Sequence, residues 1–167
     1  SAAGLSEPPK TWDDWFKAIK ATTRTTGEPQ YGLVIPDNQT IPNWPILLWG
    51  NGADIVKDNK PALAEPQAIE ALKTWSDLVV KDQISPVGLA GERALAVLRE
   101  TGKAAMEITG PWMTAGYTAA KLNFDVAPVP AGAAGPVTLA DSVVLMVNKA
   151  TKDKEAALKF VAYWNSR

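Results

Sequence analysis

The 167-residue chain contains neither cysteine nor histidine. That removes several chemistries together: a thiol nucleophile, a serine–histidine pair and any imidazole or thiolate metal ligand. It leaves the redox compartment open, because a cysteine-free chain is equally at home inside or outside the cell. No apolar run approaches the ~20 residues of a membrane-spanning helix. No charge of one sign accumulates either. Seventeen Lys and Arg lie scattered among eighteen Asp and Glu, a net charge of −1, without the basic stripe that nucleic acid requires. The opening "SAAGLSEPP" is neither basic nor apolar enough for a signal peptide, which leaves a cytosolic, a processed or a fragmentary chain.

What is present describes an ordinary globular chain, 46% hydrophobic and 21% charged, with the length of one domain, residues 1–167. "TWDD" is a capping pattern with Thr11 as the cap, and Trp12, Trp15, Phe16 and Ile19 fall at helical spacing up to a stop at Gly27. "YGLVI", 31–35, reads as a buried strand. A short helix is expected through "NWPILLWG", and "ADIV" as a brief strand. "PQAIEALKTWSDLVVKD" is a helix with Ile69, Leu72, Trp75 and Val79 on its inner side. "GERALAVLRETG" is another, with Ala94, Val97 and Leu98 inward and Gly102 as its stop.

"KAAMEITG", "FDVAPVP" and "LADSVVLMVNK" read as strands, and "PWMTAGYTAAKL" as a helix opening at Pro111. Thr151 is expected to cap a last helix whose face is Ala156, Ala157, Phe160, Val161 and Trp164. Strands alternating with amphipathic helices predict an α/β domain with helices on both faces of a mixed or parallel sheet.

Ligands of open α/β sheets gather beyond the carboxyl ends of strands. Three junctions there carry usable groups. "PDNQTIPNW" offers Asp37, Asn38, Gln39, Asn43 and Trp44; "TGPW" offers Gly110 and Trp112; "TLADS" offers Asp141 and Ser142. Polar groups beside aromatic faces suit a sugar, whose ring stacks through C–H groups while its hydroxyls need short donors and acceptors. Of the seven Trp, those at 12, 15, 75 and 164 sit on amphipathic faces and read as core, as does Trp49. Position alone leaves Trp44 and Trp112 open between core and ligand. Asp37 and Asp141 could form the carboxylate pair of a glycosidase, although nothing in the spacing brings them together. Asp13 and Asp14 are a solvated first turn, "NQT" is too short a glycosylation pattern to carry weight, and no phosphate-loop spacing surrounds Gly110.

Six stretches, in order and spread along the chain, resemble the extracellular solute-binding proteins of ABC importers (family 1, the sugar-binding group). They are "LSEPPKTWDDWFKAIKATT", "LLWGNGADIV", "PQAIEALKTWSDLV", "RETGKAAMEITGPW", "FDVAPVPAG" and "KDKEAALKFVAYWNS", of which the "GkaAM.i.GpW"-like fourth is the most specific. The resemblance implies a type II periplasmic-binding-protein fold with a central mixed sheet, here only as the C-terminal-type lobe, the partner N-terminal lobe being outside this chain. It further implies a periplasmic or extracellular binding module, no enzyme, no cofactor and no metal. Such a module hands a carbohydrate or oligosaccharide to the transmembrane permease by hinge closure.

By the resemblance the "GPW" aromatic lies on the ligand, so Trp112 ranks first among the candidates. Gly110, Trp44, Asn43, Asp37, Asp141 and Ser142 follow. Ala140 and Asp141 stand where the family pattern has paired glycines, and Leu98 where it has Phe. A carboxylate there favours a hydroxyl-rich or cationic solute such as a polyamine over a glycerol-phosphate compound. A different reading is an interaction fragment that self-associates through the surface the other lobe would cover.

Overall fold

The computed structural model describes residues 6–35, 43–88, 101–140 and 142–166. Helix α1, Trp12–Thr22, begins as its sequence requires: the Thr11 hydroxyl accepts from the Asp14 amide and donates to the Asp14 carboxylate. Its inner face is Trp15, Ala18 and Ile19. The helix ends at Thr22, short of Gly27, because Thr22 and Thr23 turn their hydroxyls onto the carbonyls of the last turn and the chain leaves extended. Gly27 instead serves the loop beyond, at φ 72°, which the Arg24–Gln30 backbone pair closes.

The returning segment 31–34 runs parallel to 104–107, with Tyr31 paired to Ala104 and Val34 to Glu107. The Tyr31 amide donates to the Lys103 carbonyl, the Ala105 amide to Tyr31 and the Val34 amide to Met106, all at 2.8–2.9 Å. Leu33 and Val34 are buried. A second parallel contact joins Thr11 to Ala131.

Helix α2, Trp44–Gly50, with Pro45 in its first turn, buries Pro45, Ile46, Leu47 and Leu48. It packs on α3, Pro66–Val80, and the Asn51 side-chain amide ties the two by donating to the Gln67 carbonyl and the Glu70 carboxylate. Between them a small hairpin pairs β1, Val56–Lys57, with β2, Lys60–Pro61. Asp58 and Asn59 both take positive φ, the turn such a tight reversal demands. "ADIV" therefore contributes one residue to a strand and not four.

The inner face of α3 is also rotated from expectation. Ala68, Ala71 and Leu78 are buried, with Trp75 packed against the core, whereas Ile69 and Leu72 are 54% and 38% exposed. The close approach of α2 explains the choice, since small side chains let two helix backbones come near each other. The main core joins Trp15, Ile19, Leu33, Leu47, Leu78 and Ile84; a second cluster joins Leu48, Ala53 and Ala68.

Helix α4, Met113–Ala119, follows the 104–109 segment and buries Met113 and Tyr117. Helix α5, Lys154–Trp164, is capped by Asp153, whose carboxylate accepts from the Ala156 amide, and not by Thr151. No residue of α5 is buried, so Trp164 does not join the core. Residues 124–130 and 142–148 run without a strand ladder. In the first, Pro128 and Pro130 have no amide hydrogen to give one. Most of the helix expected over 91–102, with Ala94, Val97 and Leu98, lies outside the described residues.

Candidate functional site

The site is built on the end of the 104–109 segment. Tyr31 and Val34 hold it on one side, and the chain then turns at Gly110–Pro111 into α4. The turn is closed by the Met113 amide on the Gly110 carbonyl and by both the amide and the hydroxyl of Thr114 on the Pro111 carbonyl. Trp112 stands at the first step of the helix, with helical backbone angles, and remains 58% exposed.

The indole does not hang free. It folds back so that a Cβ placed on Gly110 would lie 2.0 Å from both Cζ3 and Cη2 and 2.5 Å from Cε3. Only a residue without a side chain leaves that seat open. Gly110 therefore sets the attitude of the Trp112 ring, which rests on the turn and keeps much of its surface in solvent.

Asn43 brings a second expected junction to the same place. Its side-chain amide donates to the Ile108 carbonyl at 3.2 Å, two residues before Gly110. Asn43 is buried, and its Oδ1 finds no hydrogen-bond partner among the described residues. Trp44, next along, is half-buried and packs against the cluster of Leu48, Ala53 and Ala68. Asn43 thus braces the segment just ahead of the turn, whereas Trp44 belongs to the cluster between α2 and α3. Ser142 is exposed on a segment that adds nothing to the cavity described next. Asp37 and Asp141, with Asn38 and Gln39, lie outside the described residues.

A cavity of about 690 Å³ opens along the 104–110 segment, between it and residues 122–130. Gly110, Pro111 and Thr114 form part of its wall, and its lining is chiefly apolar. Glu107 and Tyr117 face each other there, the phenol hydroxyl donating to the carboxylate, and Phe124 meets Tyr117 edge-on at 5.3 Å. Sequence reasoning missed this pair. Its signal is the single acidic residue inside the apolar "KAAMEITG".

On α3, hydrogen bonds from Lys73 and Lys81 hold the Asp77 carboxyl below its ordinary range, and the contact with Asp77 raises Lys73. Among the described residues no group of three acidic side chains could hold a metal ion, and no helix is long and apolar enough to cross a membrane.

The whole chain, residues 1–167, matches the family model described as bacterial extracellular solute-binding protein. It is 30% identical over 171 residues to a Brucella abortus protein named as a binding protein, covering 96% of this chain and 41% of that one. The solved structure of the maltose/maltodextrin-binding domain MalE of Bdellovibrio bacteriovorus, bound to maltotriose, superposes with a TM-score of 0.77 at 25% identity, over 97% of this chain and 45% of that one. A Thermotoga lettingae ABC-transporter solute-binding protein bound to α-D-tagatose gives a TM-score of 0.77 at 27% identity, over 96% and 44%. The chain thus spans about two fifths of the length of these relatives. The matched proteins are solute-binding proteins and not enzymes, and their α/β fold is the one the alternation of elements predicts. The chain belongs to the bacterial extracellular solute-binding protein family.

Proposed function

We propose that residues 1–167 form the C-terminal-type lobe of a two-lobe binding protein that captures a carbohydrate or oligosaccharide. The protein would work in the periplasm or on the outer face of the membrane and pass its solute to an ABC permease. The observation that carries this reading is the Trp112 ring, held against Gly110 at the exit of a paired strand segment and exposed over more than half its surface. A flat, fixed indole offers the apolar face that a pyranose ring stacks on, with little ordering cost on binding. The relatives bound to maltotriose and to tagatose support a sugar as the solute class.

Asn43 braces the turn from behind in this reading, while Asp37, Asp141 and Ser142 supply hydrogen bonds to hydroxyls. Small-ligand sites bury most of their ligand, and one lobe provides one wall. The expected affinity of this chain alone for maltotriose is therefore millimolar or weaker, roughly −4 kcal/mol at most.

The test is a titration followed by intrinsic tryptophan fluorescence, with maltotriose, glycerol 3-phosphate and spermidine as separate probes, on the chain and on Trp112→Ala. The reading expects a weak sugar response that Trp112→Ala abolishes. A Trp112-dependent response to the phosphate or the polyamine alone would overturn the sugar assignment. Micromolar binding of sugar by this chain would overturn the one-wall picture.

A further inference from the structure

Glu107 and Tyr117 lie at equal distances along the chain on either side of Trp112, and a hydrogen bond from the phenol to the carboxylate closes the stretch between them into a loop. Glu107 belongs to the 104–109 segment, where it pairs with the buried Val34. Tyr117 is buried on the inner side of α4, with Leu122 packed against it and Phe124 edge-on to its ring. The bond therefore joins the segment that enters the turn to the helix that leaves it. A seven-residue helix is too short to stand alone, and no side chain caps the start of α4. The bonds of Met113 and Thr114 to the Gly110 and Pro111 carbonyls shape the turn but are local to it. They do not set the direction of the helix against the segment before it. Trp112 has helical angles, φ −62° and ψ −21°, so its ring is carried by α4.

We propose that Tyr117 and Glu107 are positioning residues for Trp112: their hydrogen bond fixes the angle of α4 and thereby the place of the indole. Burial of Met113 and Tyr117 brings the helix down onto the chain, but apolar burial is non-directional. A hydrogen bond has a preferred angle, and one to a carboxylate is roughly twice as strong as one between neutral groups. It supplies the direction that burial leaves open. Tyr117 thus acts on the solute through Trp112 and not by touching it. That consequence for binding rests on the reading of Trp112 as the solute's platform, whereas the effect on the indole itself does not.

The test begins on the 167-residue chain without solute. Tyr117→Phe keeps the ring and removes only the hydroxyl. The indole N–H signal of Trp112, identified by its loss in Trp112→Phe, should move in this variant. The signals of Trp44 and Trp49, packed on another cluster, should stay. Hydrogen exchange at the Ala120 and Leu122 amides, which bond to the Gly116 and Tyr117 carbonyls at the end of α4, should quicken roughly tenfold or more, the factor of one charge-assisted bond. Glu107→Gln keeps an acceptor and should displace the Trp112 signal less than Glu107→Leu. Adding Tyr117→Phe to Glu107→Leu should displace it no further. A lowered melt with the Trp112 signal and α4 exchange as in the parent makes the pair a packing contact and overturns the proposal. So does equal displacement in Glu107→Gln and Glu107→Leu. A maltotriose titration separates the two ideas: a parent response that Tyr117→Phe weakens supports both, and a parent without response overturns the sugar reading while the solute-free result still decides the positioning role.

Discussion

Gly110→Ala separates a positioned Trp112 from one that is merely present. The new methyl would lie 2.0 Å from two ring carbons, far inside van der Waals contact, so the indole must leave its seat. Gly110 is not among the glycines with positive φ, so its backbone accepts alanine and the cost resides in the ring. The ring is 58% exposed and can swing outward into solvent. The buried remainder, roughly 100 Å² of a tryptophan's surface, is worth at most about 2.5 kcal/mol at ~25 cal/mol per Å². Alanine returns about 0.4–1 kcal/mol by restricting the unfolded chain.

The expected net loss for Gly110→Ala is therefore about 1–2 kcal/mol in urea unfolding. In a Trp112→Ala background the clash is gone, and the same substitution should be neutral or stabilising by up to ~1 kcal/mol. The change of sign between backgrounds is the signature. Equal destabilisation in both backgrounds, by chemical denaturation, would refute the seat of the indole on Gly110. Sugar binding should follow suit, with Gly110→Ala losing as much affinity as Trp112→Ala.

Other substitutions probe the frame that carries the turn. A Cβ on buried Gly32 would lie 2.0 Å from the Ile19 backbone carbonyl, which cannot move aside, so Gly32→Ala should cost about 3 kcal/mol or more and lower the melting temperature by over ~5 °C. Asn43→Ala removes the bond to the Ile108 carbonyl and should destabilise by about 1–3 kcal/mol, with amide exchange rising first at residues 108–113. The lowered Asp77 pKa contributes stability above the ordinary carboxylate range, which is lost as pH falls through the folded-state value. Exposure makes the effect small: Asp77→Asn should lower stability slightly at neutral pH and flatten the stability–pH curve below about pH 4, so that variant and parent converge in acid, read by thermal melts.

The local signals were legible where they were self-contained. Thr11 caps α1 from a hydroxyl three residues before its partner, and Pro66 opens α3, so both helices could be read from single windows. The inner face of α3 could not. Hydrophobicity favours Ile69 and Leu72, but the approach of α2 selects Ala68 and Ala71, and that neighbour is invisible within the window. The hairpin at 56–61 was hidden because Asp58 and Asn59 take positive φ without a glycine to announce it. Apolar content in "FDVAPVP" and "SVVLMVNK" suggested strands, yet a ladder also needs donors and a partner in register. At the candidate site, the place of Trp112 after a strand left it open between core and ligand, and the family resemblance ranked it first. The folding of the indole onto Gly110, and the bond from Asn43 that braces the turn, are tertiary contacts that no spacing rule encodes.

The central claim is that Trp112 meets the solute. The most direct measurement is the indole N–H spectrum of the chain, in which seven tryptophans give seven resolvable side-chain signals. On titration with maltotriose, the signal that Trp112→Phe deletes should shift most, and the buried Trp15 signal should stay in place. A stationary Trp112 signal, with the largest shift at another tryptophan, would contradict the account.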